Sequence, residues 1–188
     1  MAPTSPYPVV GQRLRLRLTG DEDLAYVMAT EAEAENRAFV ELWSESEHRV
    51  AIEDPDTLHL VAVRGTAPQE TPVAYVILQD VRSASRSIFL RRVVVSDKGV
   101  GYGREVCALV LRHCFQDLGA HRVWLNVQED NEVAIRLYQG LGFTLEGTTR
   151  DSALHDGRFS SMYLYGMLED EFLDVSDEPP DGDCDPAP

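Results

Sequence analysis

Residues 87–119 read SIFLRRVVVSDKGVGYGREVCALVLRHCFQDLG, and this stretch decides the fold. It opens with β-branched and apolar residues and passes through a turn with glycines at Gly99, Gly101 and Gly103. It then continues with apolar residues at i, i+3, i+4 spacing. This order predicts a strand, a loop and an amphipathic helix. Glycines let backbone N–H groups approach an anion closely, and the positive end of the helix dipole lies at the same point. The stretch therefore predicts a phosphate-binding loop.

The loop matches neither of the two common nucleotide-binding fingerprints. A nucleoside-triphosphate loop ends in Gly-Lys-Ser/Thr, whereas Gly103 is followed by Arg104 and Glu105, so nothing is placed for a γ-phosphate and magnesium. The dinucleotide spacing G-x-G-x-x-G would need a glycine at Arg104 or at Val106. Because both fingerprints fail, the phosphate is expected to belong to another kind of ligand.

Two motifs, in order along the chain, resemble those of the GNAT N-acetyltransferase superfamily. Residues 98–103, KGVGYG, resemble its Q/R-x-x-G-x-G/A pyrophosphate loop, with Lys98 where that family usually has glutamine or arginine. Residues 131–143, NEVAIRLYQGLGF, resemble its N-x-x-A-x-x-L-Y-x-x-x-G-F segment. The resemblance covers residues 13–168 and is closest to the ribosomal-protein alanine and spermidine N-acetyltransferases.

The resemblance implies acetyl transfer from acetyl-CoA to a primary amine, by direct attack through a tetrahedral intermediate. In order of resemblance, the amine would be a protein N-terminus, a polyamine or an amino-group small molecule. Coenzyme A would lie between the central strand and the strand after the helix, its pantetheine pairing as an extra strand does. The residues expected to contact it are Val93, Val94, Val95, Lys98, Gly99, Val100, Gly101, Tyr102, Gly103, Arg104, Asn126, Asn131 and Ala134. For Lys98 and Arg104 a solvated surface position fits equally well.

Tyr138 and Glu41 are the candidate catalytic side chains. Tyr138 matches the family tyrosine that protonates the leaving sulfur, and a phenol with a reference pKa of about 10 is a neutral donor at pH 7. Helical spacing alone would also fit a core aromatic. The N–H of Val93 or Val94 would polarise the thioester carbonyl. Glu41, an acid expected on the helical wall of the acceptor pocket, is the preferred general base because it would attract a cationic amine. A solvated glutamate on the helix face fits its position as well or better. The alternatives are Glu35, His48, Glu129 and a relay through water.

Periodicity predicts the remaining elements. Strands are expected at residues 10–19, 58–64, 72–79, 87–95, 121–127, 143–150 and 158–167, the last two joined around Asp156 and Gly157. Helices are expected from a capping box at residues 19–22, over 33–43, over 103–118 with Gly119 as cap, and after Asn131. Residues 44–57 show a pattern too mixed to predict more than a short helix. The helix between the strands at 87–95 and 121–127 predicts that they are parallel. The expected fold class is α/β, a GNAT-like mixed and mostly antiparallel sheet of about seven strands, with one splayed parallel pair and helices on both faces.

Charge separates a domain from a tail. The formal net charge is −15, but residues 169–188 hold nine acids and no bases, leaving 23 acids against 17 bases before them. We expect one domain over residues 1–168 and a flexible, proline-containing acidic tail over 169–188. Nucleic-acid binding is disfavoured because it needs a basic face. The mildly acidic body is compatible with a cationic amine, although solubility also explains it.

Neither a secretory signal nor an apolar run of about 18 residues occurs in the sequence, so a cytoplasmic protein without membrane association is expected. Cys107 and Cys114 would lie about 10 Å apart along the predicted helix, too far for a disulfide, and are expected to be core residues. Cys184 lies in the tail. No metal site is expected, because the five histidines show no ligand spacing. They are His48, His59, His113, His121 and His155.

Two other classes of function stay open. One is a non-catalytic acyl-CoA-binding sensor that keeps the cleft, against which Tyr138 argues. The other is a structural or partner-binding domain, against which the glycine loop argues. The resemblance also implies a homodimer, which no feature of the sequence demonstrates.

Overall fold

In the computed structural model, which describes residues 7–155 and 157–172, eight strands form one sheet. They are β1 Val9–Val10, β2 Leu14–Leu18, β3 Thr57–Arg64, β4 Thr71–Gln79, β5 Ser87–Val95, β6 Arg122–Gln128, β7 Thr144–His155 and β8 Arg158–Leu168. Their spatial order is β1-β2-β3-β4-β5-β6-β8-β7. Strands β5 and β6 are parallel, and the other neighbouring pairs are antiparallel. This mixed sheet confirms the expected fold class.

Five helices accompany the sheet in the described residues. They are α1 Leu24–Ala32, α2 Ala34–Arg37, α3 Glu45–Glu53, α4 Tyr102–Arg112 and α5 Glu132–Gly140. A 3₁₀ turn, Asp21–Asp23, precedes α1, and a π-helical turn, His113–Asp117, extends α4. Gly119 follows that turn with φ of 65°, a left-handed conformation typical of a helix end.

Strand β4 shows that helices cover both faces of the sheet. Tyr75 and Ile77 belong to a buried cluster with Val27 of α1. Val76 belongs to the larger cluster, which includes Val110 of α4. Because successive side chains of a strand point to opposite faces, α1 and α4 lie on opposite sides of the sheet. Burial on both faces is why β4 reads as a continuous apolar run instead of an alternating one.

The parallel pair separates halfway along its length. Pairing between β5 and β6 runs only from Ser87↔Arg122 to Phe89↔Trp124. The Phe89 and Trp124 rings stack there with centroids 4.2 Å apart. Strand β6 instead continues along β8, while β5 stays paired with β4 through a bulge at Arg91. A cleft therefore opens between the two strands beyond Phe89.

Most element predictions are confirmed. Strand β5 has the predicted bounds, and the β3–β4 hairpin and the parallel β6 are present with ends shifted by a residue or two. The strand expected at residues 10–19 is interrupted between β1 and β2, which gives eight strands instead of about seven. Asp156, at the turn between β7 and β8, and the tail from residue 173 onward, including Cys184, lie outside the described residues.

The capping box predicted at residues 19–22 is wrong. The turn begins after Gly20, whose N–H donates to Asp23 Oδ2 at 2.9 Å. The Thr19 hydroxyl instead lies 2.8 Å from His59 Nδ1. A tertiary contact therefore uses the side chain that the local pattern assigned to the helix end.

The helix predicted over residues 33–43 is present only over its first residues. Helix α2 ends at Arg37, and the chain then continues irregularly because Val40 and Trp43 pack onto the α1 cluster. A true capping box follows where the sequence predicted at most a short helix. The Ser44 N–H donates to Glu47 Oε2 at 2.6 Å, and the Glu47 N–H donates to Ser44 Oγ at 3.3 Å. Helix α3 begins there.

The described core contains Cys107 and Cys114 as buried free thiols, as expected. Burial raises the pKa of Cys107 to about 12. Across residues 7–155 and 157–172, no helix is long and apolar enough to cross a membrane. The same ranges hold no cluster of three or more histidine, cysteine or acidic residues suited to a metal ion.

Candidate active site

A cavity of about 740 Å³ occupies the cleft where β5 and β6 diverge. Its walls come from both strands, from α5, from the segment 37–42 and from the β7–β8 hairpin. Six of the predicted site residues line it. They are Glu41, Val93, Asn126, Asn131, Ala134 and Tyr138, the last three from α5 and its cap.

The backbone of β5 presents N–H groups to this cleft that have no strand partner within residues 7–155 and 157–172. The Ser96 N–H donates to the Val73 carbonyl of β4 at 2.9 Å. Because N–H groups alternate between the two edges of a strand, the N–H of Val94 faces β4. Those of Val93 and Val95 face the cleft. Of the two residues that the sequence suggested for polarising a carbonyl, the geometry favours Val93.

The glycine loop leads from β5 into α4. Gly99 has φ of 78°, and Gly101, the residue before α4, has φ of 80°, a region that residues with a Cβ adopt at a cost. Gly103 has no such φ, and a Cβ there would meet Leu137 Cδ2 at 3.6 Å, an ordinary contact. The protein's own backbone therefore explains glycine at residues 99 and 101. The protein's own backbone gives no such reason at Gly103, where close approach of another molecule to the helix N-terminus would account for glycine.

Two cations expected at this loop are held by the protein itself. Lys98 Nζ donates to Glu35 Oε2 of α2 at 2.9 Å. Arg104 Nη1 donates to the Gly140 carbonyl at the end of α5 at 3.0 Å, where a positive charge is favourable. Both side chains are exposed, so the alternative of a solvated surface position stays open for Lys98 and Arg104.

The sequence did not point to Arg13, which braces the loop from outside. Its Nε donates to Glu105 Oε2 at 2.8 Å, and its Nη1 donates to the Val100 carbonyl at 3.0 Å. Its guanidinium also lies 5.0 Å from the centre of the Tyr102 ring. The only signal in the sequence was that Arg13 begins an alternating strand, which marks an outward side chain and says nothing of this contact.

Tyr138 lines the cavity and is 9% exposed. Its ring packs edge-on against Phe143 with centroids 5.7 Å apart. Burial, with a smaller contribution from Cys107, raises the pKa of Tyr138, so its hydroxyl stays protonated at neutral pH. Within the described residues this hydroxyl makes no hydrogen bond. The site therefore holds a proton donor that a ligand in the cleft can reach.

The two asparagines have distinct positions. Asn131 caps α5, as predicted, because its Oδ1 accepts the Ala134 N–H at 3.1 Å. Asn126 lies on β6 and lines the cavity beside Val127. Asn131 thereby places the first turn of α5, including Ala134, against the cleft.

The candidates for a general base are spread apart. Glu41 lies on the irregular segment, not on a helix, is 77% exposed and sits 3.9 Å from Arg91 Nη2. Glu35 pairs with Lys98, and Glu129 Oε1 accepts the Ser161 N–H at 3.0 Å. His48 is fully buried. Of these four, only Glu41 lines the cavity.

A buried charge network behind the cleft was also missed. Glu31 is 1% exposed and accepts hydrogen bonds from Tyr75 Oη at 2.5 Å, Arg92 Nη1 at 2.5 Å and the Trp43 N–H at 3.1 Å. Burial by itself would raise the pKa of Glu31. The hydrogen bonds and the charge of Arg92 outweigh burial and lower that pKa to about 2.

Two buried histidines extend this network. His48 Nε2 lies 3.3 Å from Glu31 Oε1, and His48 Nδ1 lies 3.1 Å from His59 Nε2. Burial, followed by the charge of His48, lowers the pKa of His59 to about 4. The network holds α1, α3, β3, β4 and β5 together and fixes the Arg92 side chain, which lines the cavity.

Comparison with known proteins identifies the family to which the sequence is similar. The sequence model of the acetyltransferase (GNAT) family matches residues 28–143. The chain is 24% identical over 110 residues to the spermidine N(1)-acetyltransferase of Vibrio cholerae, covering 58% of this chain and 64% of that protein. It is 41% identical over 68 residues to a mycothiol acetyltransferase of Frankia alni, covering 36% and 20%. The chain thus spans less than two thirds of the length of these relatives.

Solved structures agree on the fold. The spermidine N-acetyltransferase of Vibrio cholerae in complex with CoA and spermine has a TM-score of 0.77 at 20% identity, covering 86% of this chain and 98% of that one. A point variant of the same enzyme has a TM-score of 0.75 at 22% identity, covering 88% and 99%. At this identity the likeness establishes the architecture and leaves the acceptor open.

Proposed function

The chain belongs to the acetyltransferase (GNAT) family, and from that premise we propose that it transfers an acetyl group from acetyl-CoA to a primary amine. The observation that carries this proposal is the cleft itself, in which the Val93 N–H and the Tyr138 hydroxyl serve one cavity. We call residues 93–104 with α5 the cofactor half of the cleft. We call residues 37–42 with Arg91 and Arg92 the acceptor half.

The cofactor half suits a phosphorylated, strand-like ligand. The cleft-facing N–H groups of Val93 and Val95 can pair with a pantetheine arm as an added strand would. The loop of Gly99, Gly101 and Gly103 opens onto the N-terminus of α4, where the helix dipole favours a pyrophosphate. Backbone groups and the dipole would supply most of this binding, because Lys98 and Arg104 already have partners within the protein.

The chemistry follows from the same residues. The neutral amine attacks the thioester carbonyl, and the Val93 N–H stabilises the oxyanion that develops. As the carbon–sulfur bond breaks, the Tyr138 hydroxyl gives its proton to the thiolate. The ammonium proton leaves through a base. For this step we propose Glu41, either directly or through water, because it is the candidate acid that borders the cavity.

The decisive experiment measures acetyl-CoA-dependent thiol release against alanine- and serine-terminated peptides, spermidine, an aminoglycoside and free lysine, with a calorimetric titration of acetyl-CoA in parallel. Turnover of any amine supports the proposal. Tight binding of acetyl-CoA without turnover would instead identify an acyl-CoA-binding sensor. Absence of binding would show that the glycine loop is not a pyrophosphate site.

The expected homodimer and cytoplasmic location stay predictions. Sedimentation of the purified chain measures the first, and cell fractionation measures the second.

A further inference from the structure

The acceptor half of the cleft is lined by more positive than negative side chains. Arg37, Arg91 and Arg92 border the cavity, and Glu41 is the acid that borders it. This contrasts with the chain as a whole, whose formal net charge is −15. A local excess of cations in an acidic protein calls for a specific explanation.

Arg92 has its own counter-charge. Its Nη1 donates to Glu31 at 2.5 Å, and both side chains are buried. The pair is therefore close to neutral as seen from the cavity. Arg92 also packs 4.5 Å from the centre of the Trp43 ring, which holds the guanidinium in place.

The positive charge of Arg91 is compensated much less than that of Arg92. Its closest acid is Glu41 at 3.9 Å, a contact between two partly exposed side chains that contributes little. Its Nε is buried without a hydrogen-bond partner in the described part of the chain. Its guanidinium is stacked on Trp43 at 5.0 Å. Burial and the neighbouring charge of Arg92 lower the pKa of Arg91. An anion beside it would therefore be stabilised.

Arg37 adds a second cation. It ends α2 at the cavity wall, and residues 7–155 and 157–172 offer it no salt bridge. With the Arg92 and Glu31 charges cancelling, Arg37 and Arg91 face Glu41 alone. The acceptor half thus carries a net positive charge.

We propose that the acceptor is a small amine that carries a carboxylate on the same skeleton, and that Arg91, assisted by Arg37, binds that carboxylate. The inference rests on the proposed acetyl transfer and names its substrate class. Arg91 precedes Val93 by two residues of β5, at most about 7 Å along the chain. That spacing leaves room for an amine at the carbonyl held by Val93 while the carboxylate reaches the arginine.

A polyamine, the ligand of the similar Vibrio cholerae structure, is the competing class of acceptor. A second cavity of about 500 Å³ adjoins Arg91 and Glu41 and includes Glu47 and Asp54. Glu47 caps α3 at Ser44, and Asp54 Oδ1 accepts the Asp56 N–H at 3.0 Å. These hydrogen bonds lower the pKa of both carboxyl groups, so both keep their negative charge. The comparison with spermidine in the test below therefore decides between a carboxylate beside Arg91 and a cation beside these acids.

The test compares matched acceptors that differ only in charge, using the full chain and acetyl-CoA. The pairs are alanine with alaninamide, β-alanine with β-alaninamide, and lysine with lysinamide, with spermidine added. Among the three acceptors with a carboxylate, we consider the one with the highest kcat/KM. We expect its kcat/KM to exceed the value for the matching amide, and the value for spermidine, by about ten-fold or more, as a charge-assisted guanidinium contact allows. Arg91→Gln should remove that preference by lowering kcat/KM for the carboxylate while changing the amide by about two-fold at most.

Two further variants keep the test specific. Arg91→Lys retains a charge but not the planar fork, so it should give an intermediate preference. Arg64→Gln changes an exposed residue at the end of β3 and should leave the carboxylate-to-amide ratios of kcat/KM unchanged. Equal or better turnover of the amides or of spermidine by the wild type would overturn this inference alone. Binding of acetyl-CoA without turnover of any amine would overturn the proposed function and this inference with it.

Discussion

The two halves of the cleft are built in different ways. The cofactor half is made of backbone N–H groups, a helix N-terminus and neutral side chains, and its main parts lie within residues 93–104 and 131–138. The acceptor half is made of charged side chains on α2, on the irregular segment after it and on β5, held from behind by the Glu31 network. The binding proposed for the first uses mainly backbone groups, which do not depend on the identity of the side chains. The second depends on which side chains happen to meet, so it can differ between relatives that share the fold.

Removing the buried carboxylate should have the largest effect. Glu31→Gln leaves Arg92 buried without its counter-charge, so we expect a loss of about 3 kcal/mol or more in the free energy of unfolding. Urea denaturation measures it. The matched control is Glu132→Gln, which breaks an exposed pair with Arg136 and should change stability by about 0.5 kcal/mol at most. Equal effects of the two changes would mean that the Glu31 network does not hold the acceptor half.

The second effect is a dependence of stability on pH. The pKa of His59 is lowered to about 4 in the folded protein, against an ordinary value near 6.5. Between about pH 6.5 and pH 4, His59 therefore binds a proton in the unfolded chain but not in the folded protein. The stabilisation is complete above pH 6.5 and is lost as the pH falls to about 4, with a limiting slope of about 1.4 kcal/mol per pH unit. The Glu31 contribution is lost only at lower pH, as the pH approaches about 2.

Thermal unfolding between pH 7 and pH 4 tests the histidine assignment. His59→Gln should flatten the profile over this range, whatever its effect on stability at pH 7. His121→Gln, which changes a histidine that is 59% exposed, should leave the slope as in the wild type. A profile that keeps its slope without His59 would contradict the assignment.

The third effect belongs to the cofactor half. Tyr138→Phe removes the protonated hydroxyl, and we expect kcat to fall about ten-fold or more with little change in the KM for acetyl-CoA. Stability should hold, because the hydroxyl has no partner in the described part of the chain. Tyr163→Phe on β8 is the control and should keep wild-type turnover. Unchanged kcat and KM in Tyr138→Phe would mean that Tyr138 contributes only to packing.

The smallest effect separates two glycines of the same loop. Gly103→Ala meets only ordinary contacts and adds helix propensity, so stability should stay constant or rise by up to about 1 kcal/mol. Its affinity for acetyl-CoA, measured by calorimetry, should nevertheless fall. Gly101→Ala, where φ is 80°, should lose about 1–2 kcal/mol of stability as well. An unchanged affinity in Gly103→Ala would mean that no ligand approaches this turn closely.

The same division explains which parts of the site sequence reasoning found. The glycine loop, Asn131 and Tyr138 sit in short motifs whose spacing can be read along the chain. The structure places Asn131 and Tyr138 at the cavity, whereas the loop lies between β5 and α4 and does not line it. The helix predicted for Glu41 failed because packing of Val40 and Trp43 overrode local propensity. Arg91 was not recognised because its proposed role depends on a bulge and on Trp43, which lies far from it in sequence.

The sequence by itself determined the order of most strands and helices, the parallel pair around α4 and the loop that joins them, because local periodicity and glycine conformation act over a few residues. Only the tertiary structure decided that β5 and β6 part after Phe89, that Val93 faces the cleft, and that Arg91 lacks a full counter-charge. Those facts depend on which residues meet across a sheet and between distant segments. Burial and electrostatic pairing are properties of the folded chain, and no local pattern carries them.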